Sequence, residues 1–245
     1  MNVLRIWFSR WPVTAFYLCT LGFSWSYWLT MLPLAHTGQA PTVSHLPGLL
    51  GPMVAAIVIT AIVSGRSGLM RLASSALLLP RPYVRNVLLA LSPLGIGLVT
   101  FLALRIWGVQ FPPWSAFAEY PGLPSGMPVA AVTLAVLLLN GFGEEVGWRG
   151  FATTQLLPRL GKFRSTAVVA VLWLPWHAPL FLLNTSMHNL LGPVFFGWAF
   201  GLLCGAFALA AVYLASGQSI MVVAVWHTLT TWSWPHLLAR APQPL

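Results

Sequence analysis

Met127-Pro-Val-Ala-Ala-Val-Thr-Leu-Ala-Val-Leu-Leu-Leu-Asn-Gly-Phe-Gly-Glu-Glu-Val-Gly-Trp-Arg149 is the stretch on which the reading of this chain turns. Its first half is apolar and uncharged, and its length suits the roughly 17 to 25 residues that a helix needs to cross a hydrocarbon core. Its second half holds two adjacent glutamates, in a chain of 245 residues with three acidic residues in all. Outward from it the apolar pattern recurs. Seven stretches are long enough to span, at about 12–34, 46–64, 86–108, 127–149, 165–183, 191–215 and 219–238. The shorter 67–80 segment, flanked by arginines, is expected to lie at the membrane interface. The expected fold is an all-α membrane protein, a polytopic transmembrane helical bundle of about seven spans forming one integral-membrane domain over 1–245.

Composition agrees. The chain is 58% hydrophobic and 6% charged, against about 25% charged in soluble domains, which excludes an ordinary soluble enzyme and a disordered tail. A net charge of +9 would elsewhere suggest nucleic acid. Here the basic residues form short clusters between apolar runs and read as orientation signals, so no nucleic-acid partner is expected. Arg5 and Arg10, then Arg66, Arg71, Arg81 and Arg85, then Arg159, Lys162 and Arg164 occupy alternate connections. The connections near 35–45, 109–126 and 184–190 hold no Lys or Arg. This places the N-terminus in the cytoplasm and the C-terminus, with Arg240, outside; Arg105 is the other basic residue of the outer side.

The first span reads as uncleaved, since no small-residue cleavage site follows it. Trp7, Trp11, Trp107, Trp114, Trp232 and Trp234 lie near span ends, where indole rings favour the headgroup zone. Gly197, Gly201 and Gly205 share one face of the sixth span and are expected to let another backbone approach. Cys19 and Cys204 sit in apolar runs and indicate neither a disulfide framework nor a cysteine zinc site.

The ionisable residues inside spans are the candidates for chemistry, because each costs on the order of 2.5–3.5 kcal/mol to insert. Glu119 lies in an outer connection and reads as a solvated charge. Glu145 and Arg149 are spaced i, i+4 and share a helical face, while Glu144 is turned about 100° from Glu145. One arginine cannot neutralise two buried carboxylates, so one of the pair is available as a general base. His36, His45, His188 and His236 fall at outer connections or span ends. His177 and His227 fall inside spans, roughly 18 and 12 Å from the cytoplasmic boundary at 1.5 Å per residue, in the same half of the bilayer as the glutamates. Pro175 and Pro179 bracket His177 and are expected to kink its helix, as tolerated at membrane depth beside a wet cavity.

Three segments together resemble the CPBP family of CAAX proteases and bacteriocin-processing enzymes. They are Glu144-Glu145-Val-Gly-Trp-Arg149, Trp173-Leu-Pro-Trp-His177 and His227-Thr-Leu-Thr-Thr231. The family pattern often has Phe where Trp173 stands and has Asn where Thr231 stands. The resemblance covers about 127–235 as a catalytic core. It implies an intramembrane endopeptidase in which Glu144 and His177 activate a water, His227 with Thr231 stabilises the oxyanion, and Glu145 and Arg149 orient the site. The two glutamates could exchange roles. The substrate it implies is a peptide or lipidated protein at the lipid bilayer, either CAAX-type or a leader peptide. The expected place is the plasma membrane of a bacterium or archaeon, with the site opening to the cytoplasm.

Metal dependence stays open. No cofactor is required by these residues, and zinc is the metal they could take, with Glu144, His177 and His227 as ligands. Arg149 beside the glutamates works against a cation. Two other function classes stand beside the protease: a non-catalytic immunity or scaffold protein of the same fold, for which the Thr231 departure speaks, and a proton-coupled transporter, whose usual paired repeats are missing.

Overall fold

Inside a bilayer the backbone has no solvent to bond with, so long apolar runs close their hydrogen bonds internally as helices. The computed structural model describes residues 3–36, 44–106, 108 and 110–238, without the side chains of 3, 4, 36, 185, 186 and 233–238. Trp107 and Arg240 lie outside the described residues, as do the side chains of His36, Trp234 and His236. Among the described residues the regular structure is all helical. The chain is an all-α integral membrane protein.

The order is α1 (Val3–Arg10), α2 (Pro12–His36), a 3-10 turn at Leu46–Leu50, α3 (Gly51–Leu77) and α4 (Tyr83–Arg105). A second 3-10 turn at Trp114–Ala118 leads to α5 (Val129–Val136), a π-helical segment (Leu137–Phe142), α6 (Gly143–Glu145), a second π segment (Val146–Thr153) and α7 (Thr154–Trp176). Then come α8 (Leu180–Leu183), α9 (Thr185–His188), α10 (Val194–Ala215) and α11 (Ile220–Leu238). Four described stretches are long and apolar enough to cross by themselves: Leu46–Leu77, Tyr83–Arg105, Val129–Leu183 and Val194–Ala215. Val129–Leu183 contains both the fourth and fifth spans read from sequence.

That stretch corrects one boundary. From sequence the fourth span stops at Arg149, beside the basic connection. In the structure the helix runs on and breaks only at Gly161, where φ is 71°. A side chain at that left-handed position would clash with its own backbone, so glycine marks the corner. Glu144 therefore stands mid-helix, fifteen residues after Val129 and seventeen before Gly161. A similar break at Gly65 separates the arginine-flanked end of α3 from its apolar part.

The bundle has two chemically distinct ends, each tied by its own hydrogen bonds. At one, Arg85 Nη2 donates to Ala215 O (3.0 Å) and Ser75 Oγ to Gln218 O (2.5 Å), gathering the basic connections. At the other, Tyr27 donates to Ser44 O (3.0 Å), Trp28 Nε1 to His45 O (2.8 Å) and Trp232 Nε1 to Phe117 O (3.0 Å). Trp232 is thus engaged within the protein, while Trp7, Trp11 and Trp114 are exposed.

Between the ends lies a core of large aromatics. Trp148 is fully buried, edge-on to Phe16 of α2 (5.3 Å) and to Trp176 (5.8 Å), which meets Trp28 at 5.1 Å. Burying such rings contributes most of the apolar area available to a bundle core. The Gly197, Gly201 and Gly205 row does not pack in this way. A Cβ built at any of the three meets nothing within 4 Å, so the expected backbone approach is not made within the described chain.

Candidate active site

The two π segments bracket the glutamates. In a π-helix each N–H bonds five residues back, an uncommon geometry found mostly at functional sites. Here Thr154 Oγ1 donates to Arg149 O (3.1 Å) and Thr153 Oγ1 to Trp148 O (2.9 Å), each also reaching five residues back. The expected face-sharing of Glu145 and Arg149 nevertheless holds. Arg149 Nη1 lies 2.9 Å from Glu145 Oε1, and both side chains are fully buried. Gly141 lets this stretch press against α11, since a Cβ there would fall on Thr228 Oγ1 and 2.8 Å from Ala224 O.

The two carboxylates have separate partners. Glu145 Oε1 also accepts from His227 Nδ1 at 2.7 Å, and Arg149 lays its guanidinium over the Trp173 ring at 4.9 Å, a cation–π contact. Glu144 Oε1 accepts from Asn140 Nδ2 and its Oε2 from Trp173 Nε1, each at 2.7 Å. Both donors hold a carboxylate in one orientation, as charge-assisted bonds do. Asn140 Oδ1 lies 3.1 Å from the Thr231 hydroxyl, which also lies 2.6 Å from its own helix at His227 O.

His177 is reached differently from the expectation. Its helix does not kink through the prolines; α7 ends at Trp176 and a tight turn follows, with Ala178 N bonding Pro175 O at 3.0 Å. Pro175 and Pro179 both remove amide donors, so the helix cannot continue. His177 Nδ1 lies 2.9 Å from Trp173 O. A carbonyl only accepts, so Nδ1 carries the proton and Nε2 is the ring's free acceptor. The α2 aromatics fix this corner, because Trp25 Nε1 donates to Trp176 O (3.0 Å) and Trp176 Nε1 to Ser24 Oγ (2.9 Å).

Glu144, His177, Asn140 and Thr231 line one cavity of about 330 Å³. His227 stands behind it, 5% exposed, with Trp173 edge-on to its ring at 5.9 Å. The remaining wall comes from His45, Tyr120, Asn184 and Met187. These lie in the connections before α3, before α5 and after α8. The long fourth helix carries the glutamates away from the basic connections. The zinc set is not assembled. Both Glu144 oxygens are taken by neutral donors, and no group of three His, Cys, Asp or Glu placed to hold a metal occurs among the described residues.

Asn140 is the site residue that the sequence reading passes over. The signal for it was a lone amide in an apolar run, one turn before Glu144. Trp173 is quoted in the motif, but its indole N–H has a part that Phe could not play.

All the motif residues fall inside 126–233, the region that matches the family model described as type II CAAX prenyl endopeptidase Rce1-like. This segment is similar to that family. A relative is the CAAX prenyl protease 2 of Methanococcus maripaludis, 40% identical over 53 residues. That alignment covers 22% of this chain and spans about a fifth of the relative's length, 20%. The motif residues Glu144, Glu145, Arg149, His177 and His227 thus occupy one neighbourhood, with Thr231 at its edge.

Proposed function

We propose that this chain is an intramembrane endopeptidase that hydrolyses a peptide bond of a membrane-associated substrate, of the lipidated CAAX type or a leader peptide. The observation that carries the reading is that Glu144 and His177 line the same cavity, with Glu144 held by two donors. A water there would bond its oxygen to the scissile carbonyl carbon and give a proton to Glu144. Collapse of the tetrahedral intermediate would break the C–N bond, and the same proton would pass to the leaving amine. One water is consumed, and a carboxyl and an amine are released.

His177 Nε2 would orient the water by accepting its second hydrogen. His227 donates to Glu145 through Nδ1, so its charged form offers Nε2–H to the developing oxyanion. Glu145 and Arg149 would position that ring rather than touch substrate. A non-catalytic role of the same fold draws on Thr231, whose hydroxyl is shared between Asn140 Oδ1 and His227 O where the family pattern has an amide.

The test is cleavage of a fluorogenic peptide library by purified protein in detergent. Glu144→Gln and His177→Ala should abolish cleavage with unchanged melting, and His227→Ala should lower kcat about 10²–10³-fold, the worth of an oxyanion donor. Full activity in Glu144→Gln would overturn the protease reading, and intact cellular function in His177→Ala would establish the scaffold.

A further inference from the structure

A hollow of about 680 Å³ lies among the basic connections and shares no lining residue with the cavity at Glu144. Four pieces of chain form it. They are α3 on both sides of its Gly65 break, the 78–83 connection, the 150–155 part of the long helical run, and the 217–219 turn between α10 and α11. Ser75 Oγ donates to Gln218 O at 2.5 Å and accepts from Ile220 N at 3.4 Å, which ties that turn to α3. The tie holds Gln218 at a φ of 64°, uncommon for a residue with a side chain.

The charge of the lining has one sign. Arg71 and Arg81 contribute to it, with Ser64, Ser74, Gln155 and Gln218 as neutral donors, and it contains no Asp or Glu. Among the described residues both ion pairs fall on Glu145, so neither arginine has a carboxylate partner. Arg81 lays its guanidinium over its neighbour Tyr83 at 5.7 Å. The Arg71 side chain has no hydrogen-bond or ion-pair partner among the described residues. Two cations on one hollow with no anion between them leave its potential positive. Leu72, Leu78 and Leu79 complete the lining, and the large apolar side chains of Met70, Leu77 and Val84 are exposed beside these residues in sequence. This is the arginine-flanked segment whose pattern puts it at the membrane interface.

We propose that this hollow binds the phosphate head group of an anionic phospholipid, with Arg71 and Arg81 donating to its oxygens and Leu78 and Leu79 beside the start of its acyl chains. A guanidinium presents a planar fork of donors that matches phosphate oxygens, and the serines and glutamines supply further donors. A zwitterionic head group brings its own cation and gains less from two arginines than an anionic one does. A free phosphate has no use for the apolar border, which makes the lipid the better fit. The hollow also touches the helical run that carries Glu145 and Arg149. Thr154 Oγ1, in its wall, lies 2.8 Å from the Tyr213 hydroxyl and 3.1 Å from Arg149 O. A lipid bound there braces that run just beyond Arg149 and stabilises the fold by mass action.

The experiment uses the full chain purified in a neutral detergent. Phosphatidylglycerol should raise its melting temperature and, by native mass spectrometry, be retained in preference to phosphatidylcholine. Arg71→Gln and Arg81→Gln should each weaken that retention about fivefold, and the pair together roughly 25-fold. Both side chains are exposed, and the single variants carry the test should the pair fold poorly. Arg159→Gln/Arg164→Gln removes the same charge from exposed residues that do not line the hollow, and should leave retention within about twofold. Equal losses in the two double variants, or no preference for phosphatidylglycerol in the unsubstituted protein, would overturn the proposal. A rise in melting temperature with inorganic phosphate that needs Arg71 and Arg81, with none from phosphatidylglycerol, would overturn the lipid as its ligand.

Discussion

Replacing Arg149 by Met tests how the site is held together. The guanidinium is fully buried, with Nη1 2.9 Å from Glu145 Oε1, Nη2 3.4 Å from Ala206 O and its carbon 4.9 Å from the Trp173 ring centre. Met fills much of the same space but leaves the Glu145 carboxylate with His227 alone. Breaking a buried ion pair by deleting one partner costs about 3–5 kcal/mol. Against a total stability of about 5–15 kcal/mol, that is a fifth of the stability at the least and more than half in the weaker range. The double variant Glu145→Gln/Arg149→Met removes both charges and should cost less than Arg149→Met alone, since a neutralised pair leaves no buried charge unpaired. Reversible unfolding in mixed micelles, with all four members of the cycle, measures both quantities. A loss under about 1 kcal/mol in Arg149→Met, or additive losses in the double variant, would refute the claim that this pair is held by mutual neutralisation.

Trp173→Phe keeps a ring under Arg149 but deletes the donor to Glu144 Oε2, and Asn140→Leu deletes the donor to Oε1. A bond to a charged group is worth about 1.5–3 kcal/mol, so each should lower kcat by roughly 10- to 150-fold with KM little changed; a fall in neither would remove both from the positioning of Glu144. His45, outside the spans, has its imidazole pushed down from 6.5 to about 4 by burial. The unfolded chain then binds more protons than the folded one between those values, so stability should fall as pH drops from about 6.5 towards 4. His45→Asn should flatten that part of the pH–melting profile, and an unchanged slope would contradict the burial of a neutral ring in the cavity wall.

Much of the candidate site was legible in the sequence. Glu144, Glu145 and Arg149 stand out because ionisable groups are scarce in an apolar chain, and the Glu145–Arg149 pairing follows from a spacing that the flanking π segments did not disturb. His177 and His227 stand out for the same reason. Asn140 was harder to see, because a single amide in an apolar run differs little in sequence from a packing residue. It acquires meaning only when Glu144 Oε1 is found 2.7 Å from it. The glycine row of α10 misled in the other direction, since small residues permit close approach without requiring a partner.

Solvation and charge were legible from the residues alone. Apolar length forced helices that cross a bilayer, and rare buried charges marked the candidate site. Where the helices end was not legible, because Gly161 rather than Arg149 stops the long helix, and a glycine's left-handed turn depends on what surrounds it. That single displacement puts Glu144 mid-helix, far from the basic connection. Which carboxylate meets which donor was likewise a tertiary matter. Asn140 lies on one helical run, Trp173 on the next and His227 on a third, and only their packing around α6 gives Glu144 and Glu145 their different partners.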